Sequence, residues 1–182
     1  MDTVDRTQVG ESLPRPDNRK QRRRAEIFMI VDQSSILDCD AERAWDEVQT
    51  SQLLKEVARP LVAIRPAPGE ELPAVWPAGA TVRVRSYLFG VIPLGTRAVH
   101  FKKVDAADRE IQTQEKDLIV RSWCHTISIR PLSGSRCLYR DRVDIHAGPL
   151  TPIVWLFAQW FYWHRQRRWI AVARRLQAGE PT

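Results

Sequence analysis

From Ala80 to Ala147 the hydrophobic positions recur every second residue. The segment TVRVRSYLF sets Val82 and Val84 against Arg83 and Arg85, and TRAVHFKKV sets Val99 and Phe101 against His100. REIQTQEKD, RSWCHTISIR and RCLYRDRVDIHA continue the alternation. A period of two is that of a half-buried strand. Turn signals at Ala106-Ala107-Asp108, Lys116-Asp117-Leu118 and Ser133-Gly134-Ser135 separate these segments, so they read as an antiparallel meander with one face covered. Upstream, Ile27 to Val31 and Ser35 to Leu37 read as a first strand bent near Asp32-Gln33. Asp40 then caps a short helix, AERAWDEVQ, with Ala41, Ala44, Trp45 and Val48 at helical spacing. Thr50 or Ser51 opens a second one, QLLKEVA, which stops before Pro60 because a residue preceding proline disfavours helix. Leu61 to Ile64 is a second strand.

After Gly148 the pattern becomes helical. Thr151 and Pro152 predict the start, a hydroxyl to cap free amides and a proline where no amide is needed. Neither Gly nor Pro follows until Gly179, which predicts one helix of roughly 25 residues. Its first half, Ile153 to Trp163, is apolar on nearly every face, with only Gln159 interrupting. Such a helix must be enclosed, or must touch a ligand, a partner chain or lipid. Its second half carries Arg165, Arg167, Arg168, Arg174 and Arg175. The economical packing is α+β: a curved antiparallel sheet of about seven strands wrapped on the long C-terminal helix, with two short helices after the first strand. Pro66 to Gly79 is a proline-rich loop that contains Leu72, Val75 and Trp76, fit to fold over a cavity mouth or to plug the surface. Apolar walls between sheet and helix suit a hydrophobic or aromatic small molecule; the alternative is a filled core.

Composition changes this picture at the ends. The chain has 182 residues, is 43% hydrophobic and carries a formal charge of +6, which fits one domain with a sizeable core. Residues 1–24 hold Pro14, Pro16 and the run Arg19-Lys20-Gln21-Arg22-Arg23-Arg24 with almost no large apolar residue. They read as a disordered basic arm, solvated or turned towards anionic partners, ahead of a domain at 25–178. Cys39, Cys124 and Cys137 form no CxxC pair, so neither a zinc site nor a disulfide framework is indicated, and a reducing cytoplasm is expected. The first residues lack the order of a signal peptide. The apolar run of the last helix falls short of the ~20 residues of a spanning helix. A soluble protein, or one that rests on a membrane, is expected.

Strand parity then singles out chemistry. Tyr139, Asp141, Val143 and Ile145 share one face, and Trp123, His125, Ile127 and Ile129 share a face on the neighbouring segment. Asp141 and His125 could form a buried acid–base pair; they could equally be a structural pair, with Asp141 holding Arg130 or Arg142. Glu115 shares parity with Ile111 and Thr113 and either orients a ligand or stands exposed. His100 is expected to face solvent, His146 ends its strand, and His164 sits among the basic residues of the helix. No histidine spacing fits a metal, and no GxSxG elbow, GxGxxG or Walker loop is present, so neither a metal nor a cofactor is called for. Trp45, Trp76, Tyr87, Trp155, Phe157, Trp160 and Tyr162 could line a flat apolar ligand together, although each alone suits a core. The candidate ligand set is Trp45, Trp76, Tyr87, Glu115, Trp123, His125, Tyr139, Asp141, Phe157 and Trp160.

The segment from Arg121 to Trp169 is similar to the SRPBCC superfamily (START-like, polyketide cyclase/dehydrase and lipid-transport proteins). The motifs are Trp123-Cys124-His125, Asp141-Arg142-Val143, the turn Gly148-Pro149-Leu150 and Phe161-Tyr162-Trp163-His164-Arg165. The order of elements from about Ala25 to Leu176 also fits; the arm before it has no counterpart. The resemblance implies a helix-grip fold with a hydrophobic pocket and leaves the chemistry open. The pocket would bind, carry or sense a hydrophobic small molecule or lipid. Alternatively it would act as an aromatase/cyclase or dehydratase, with Asp141, His125, Tyr139 and Arg85 assisting proton transfer. A third reading has Trp155, Trp160, Trp163, Trp169 and the helix arginines touch an anionic membrane. Nucleic-acid binding rests on the charge of the arm alone, with no specific motif. A dimer through the surplus apolar face of the helix is a further option.

Overall fold

The computed structural model describes residues 27–117 and 119–178; the expected basic arm at 1–24 lies outside the described residues. Strand β1 (Met29–Leu37) is followed by α1 (Ala41–Val48), α2 (Ser51–Ala58) and β2 (Val62–Pro66). The meander comprises β3 (Thr81–Leu88), β4 (Ile92–Asp105), β5 (Glu110–Lys116), β6 (Ser122–Leu132) and β7 (Arg136–His146). A single 3₁₀ turn (Gly148–Leu150) leads into α3 (Thr151–Gln177). The sheet has seven strands in the order β1-β7-β6-β5-β4-β3-β2, all neighbours antiparallel. The helix-grip architecture expected from the sequence is the one observed.

Local chemistry accounts for each element. The Asp40 side chain accepts from the Arg43 amide, and Thr50, rather than Ser51, caps α2 by accepting from the Leu53 amide. The first strand is unbroken, in continuous register with β7 from Met29–Ile145 to Leu37–Cys137; Asp32 and Gln33, where a bend was expected, keep their pairing. Irregularities in register at Ser86/Tyr87 and Phe101/Lys103 add twist to β3 and β4 and help the sheet curl. Strand β4 begins earlier than the alternation suggested, because Ile92, Pro93 and Leu94 extend it past the covered part of the sheet. Cys39 and Cys137, distant in sequence, are both buried and free, with Cys39 just beyond the end of β1 and Cys137 opposite Leu37.

Helix α3 lies along β1 and against α2. The Gln33 amide donates to the Gln159 carbonyl at 2.9 Å and to its side-chain oxygen at 2.8 Å. The Trp155 indole donates to Ile30 O at 2.8 Å. His164 meets the Arg59 carbonyl at 2.8 Å, and Arg175 pairs with Glu56 on α2. Thr151 does not cap the helix as expected. It is the first helical residue, and its hydroxyl closes the preceding turn by accepting from Ala147 N and donating to Gly148 O. Nor is the first half of the helix enclosed. Ala158, Tyr162, Arg165, Gln166, Trp169, Val172 and Ala173 form the buried stripe, whereas Ile153, Leu156, Trp160 and Trp163 face outward. A helix beside one curved sheet has a single covered side, however apolar the other is.

Candidate functional site

Between the sheet and α3 lies a cavity of about 310 Å³. Val82 and Val84 on β3, Val99 and Phe101 on β4, and Ile111 and Ile127 on β5 and β6 supply an apolar wall through inward-facing strand parity. Phe157 and Phe161 on α3 face that wall. Trp76, from the proline-rich loop, is buried and stacks on Phe101 with ring centroids 4.9 Å apart. The loop therefore closes one end of the cavity. Leu94, Ile119 and Ile153 line the space and are also exposed, which makes them rim residues.

Two polar groups break the apolar lining. In the first, Arg97 donates to Glu115 at 3.0 Å and to Asp117 at 2.9 Å, and its guanidinium lies 5.1 Å from the Trp123 ring centroid. Burial works against the charge of Arg97, but the two carboxylates outweigh it and raise its pKa. Glu115 thus faces inward, and its charge is matched by an arginine that shares the parity of Val99 and Phe101.

The second group is centred on Asp141, which is 0% exposed. His125 Nε2 is 2.7 Å from Oδ1, the Tyr139 hydroxyl donates to Oδ1 at 2.9 Å, and Gln166 Nε2 donates to Oδ2 at 2.8 Å. Arg165 donates to the Tyr139 hydroxyl at 3.0 Å and stands 3.8 Å from Asp141. Burial would push the Asp141 pKa up, yet Arg165 and the His125 hydrogen bond outweigh it and hold the carboxyl below its ordinary value. The carboxylate stays ionised and can only accept, so His125 Nε2 must carry a proton. In the neutral ring, Nδ1 is then an acceptor. It has no hydrogen-bond partner among the described residues, and the ring lines the cavity. Arg165, Gln166 and Trp169 each hold a buried polar atom without a protein partner, Nε, Oε1 and Nε1 respectively. Tyr162, on the same stretch of α3, presents its ring edge to His125 at 5.2 Å, and burial raises its pKa above the usual phenol range. The arrangement combines an apolar slot with the His125 imidazole and the buried Arg165 guanidinium, both held through Asp141 and Tyr139. Among the described residues no group of three or more His, Cys, Asp or Glu is placed to hold a metal ion.

Of the candidate residues, Trp76, Glu115, Trp123, His125 and Phe157 line the cavity. Asp141 and Tyr139 stand behind His125 and are sealed from it. Besides these two, three further candidates do not line the cavity. Trp45 is consumed by the core beneath α1. Tyr87 does not line the cavity and carries Arg65 on its ring at 4.8 Å. Trp160 points outward and meets Phe89 edge-on at 6.5 Å. Arg85 is exposed on the outer face of β3, with Arg83, and takes no part. Asp141 holds neither Arg130 nor Arg142; Arg142 faces Asp32 and Asp144 instead. Sequence reasoning missed Arg97, Asp117, Arg165 and Gln166. Strand parity with Val99 marks Arg97 in the sequence, whereas Arg165 is marked only by the stripe Ala158-Tyr162-Arg165-Trp169, which packing against the sheet selects.

A family described as Domain of unknown function (DUF8410) matches residues 35–173. No curated protein matches. Solved structures similar to this chain include an aromatase/cyclase from Streptomyces sp. R1128, 13% identical, covering 85% of this chain and 100% of that one with a TM-score of 0.66. Norcoclaurine synthase from Thalictrum flavum, in complex with dopamine and hydroxybenzaldehyde, is 12% identical, covering 97% and 100% with a TM-score of 0.63. A START superfamily protein from Mycobacterium smegmatis is 15% identical, covering 81% and 98% with a TM-score of 0.60. At such identities the likeness is one of fold, and the fold is the START-like helix-grip that the sequence resembles.

Proposed function

The chain belongs to the DUF8410 family, and we propose that it binds one hydrophobic, flat small molecule in the cavity between the sheet and α3. The observation that carries this reading is the lining itself, apolar around most of its circumference with polar groups at His125 and at Arg97, Glu115 and Asp117. Such a site suits a ring system or an acyl-like chain bearing a hydrogen-bond donor, such as a phenol or enol, for Nδ1. The neighbours support an aromatic ligand, since one is an aromatase/cyclase and another was solved with two phenolic compounds. The free thiols of Cys39, Cys124 and Cys137 suit a reducing compartment and so a cytoplasmic carrier or sensor; among the described residues no helix is long and apolar enough to cross a membrane.

Titration with a flat apolar fluorophore tests it. The expected result is one site per chain, weakened about tenfold in Phe157→Ala through the lost aromatic contact. A chain that takes up no probe, or that binds it equally well in the variant, contradicts the reading.

The second reading is a cyclase- or dehydratase-like enzyme, favoured by one specific feature. Asp141 fixes the His125 proton on Nε2, which leaves Nδ1 as a base in an apolar slot. Its test is turnover of a poly-β-ketone chain. Rates should fall by about 10²-fold or more in His125→Ala, and unchanged rates in His125→Ala and Asp141→Asn would remove the assignment.

A further inference from the structure

The rim of the cavity continues into an exposed apolar surface that the ligand-binding reading does not use. Val91 is 75% exposed, Ile153 69% and Leu156 65%, and Phe89, Ile92, Trp160 and Trp163 are also exposed. These residues come from two separate elements, the β3–β4 hairpin tip and the outer side of α3. The edge-on contact of Phe89 with Trp160 at 6.5 Å joins them.

The hairpin tip is built against local preference. Phe89 and Gly90 have φ of 50° and 76°, the left-handed pair that turns of this kind usually fill with Asn-Gly or Asp-Gly. A phenylalanine in that conformation is strained, and its ring remains in solvent. Val91 and Ile92 follow it. Neither the turn nor the core gains from apolar residues here, so the tip is shaped for something outside the chain.

Charge identifies the chemistry of that partner. No Asp or Glu occurs from Ser86 to Val104 or from Ile145 to Ala178. The acids at the rim, Glu115 and Asp117, are both engaged by Arg97. Around the patch stand exposed arginines without ion-pair partners among the described residues. Arg65 lies over Tyr87 at the base of the hairpin, Arg121 beside Gly148 at the start of α3, and Arg167 over Trp163 at 4.5 Å. Arg59, held at its carbonyl by His164, shares a cleft with Arg168 and with Glu56, which Arg175 engages. Apolar and tryptophan side chains surrounded by unpaired cations, with the nearby acids Glu56, Glu115 and Asp117 already engaged by other arginines, match an anionic lipid surface, where the rings sit at the headgroup level.

We propose that the hairpin tip and the outer face of α3 dock on an anionic bilayer, which sets the cavity rim of Leu94, Ile119 and Ile153 against the lipid. The docking makes the bilayer the source or the destination of the bound molecule, and to that extent it rests on the ligand-binding reading. A ligand moving between lipid and cavity would then cross little water.

The test uses the full chain with vesicles of phosphatidylcholine alone and of phosphatidylcholine with phosphatidylglycerol, at low salt. Co-sedimentation measures partitioning. Quenching of tryptophan fluorescence by brominated acyl chains measures insertion, which charge adsorption of the basic N-terminal residues would not produce. The expected result is quenching on the anionic vesicles, with partitioning reduced at least about tenfold in Val91→Asp/Leu156→Asp. Both side chains are exposed, so the fold should be retained, with an unchanged circular dichroism spectrum as the check. Arg167→Gln/Arg168→Gln should lose the preference for anionic over neutral vesicles. Wild-type protein that is not quenched, or a Val91→Asp/Leu156→Asp variant that partitions like wild type, overturns the proposal. So does a protein that ignores vesicles but dissociates from a dimer in that variant. The fluorophore titration separates the two ideas: probe uptake without quenching leaves the cavity reading and removes the docking, and quenching without probe uptake does the reverse.

Discussion

Asp141 sits where water does not reach, accepts from His125, Tyr139 and Gln166, and faces Arg165. Replacing it with asparagine leaves the Arg165 guanidinium buried without its counter-ion, which should cost about 3 kcal/mol or more in urea unfolding. The pH dependence has a definite sign. The folded pKa of Asp141 lies below its unfolded value, so its contribution is complete above the unfolded pKa, near ~4. It fades as pH falls through the folded value. The stability gap between wild type and Asp141→Asn should therefore narrow as pH is lowered below about 4; a gap that widens on acidification contradicts the account. Alternation alone placed Asp141 and His125 on one face of adjacent strands, which allowed a pair, and the register, with Asp141 opposite Ile127 and His125 opposite Val143, brings them diagonally into contact. Arg165 was harder to read. In an arginine-rich helix half its charge resembled that of Arg167 and Arg168, and only the covered stripe set by the sheet distinguishes it.

At the scale of elements, the strands and short helices followed from period and caps, and Asp40 and Thr50 account for both helix starts. What could not be read was how much of α3 is covered, because its first half is apolar all round and local pattern then carries no direction. Packing against β1 and α2 chooses the face. The consequence is measurable. Trp169 is fully buried in contact with Tyr139, so Trp169→Ala should destabilise by ~3–5 kcal/mol in chemical denaturation. Trp163, on the outer face of the same helix, should cost under ~1 kcal/mol. Equal losses at the two sites would mean that the helix is enclosed on both sides. Likewise Thr151 was legible as a terminus but not as the residue that closes the turn before it, since its role depends on where Ala147 and Gly148 are placed by β7.

For the whole molecule, the curl of the sheet and the length of α3 leave a space that the core side chains do not fill. The proline-rich loop closes one end with Trp76, and the other end opens between the hairpin and the start of α3. A filled core was the competing expectation; it fails because the bulky residues Trp45 and Trp169 pack into the core while valines and isoleucines line much of the space. The central claim is that this space holds a ligand, and native mass spectrometry of the protein purified from its own host measures that most directly. The account predicts one reproducible small-molecule adduct per chain, lost in Val99→Trp, where an indole occupies the cavity from the β4 wall. A bare chain mass from the host, together with no adduct on addition of apolar aromatic compounds, would contradict it.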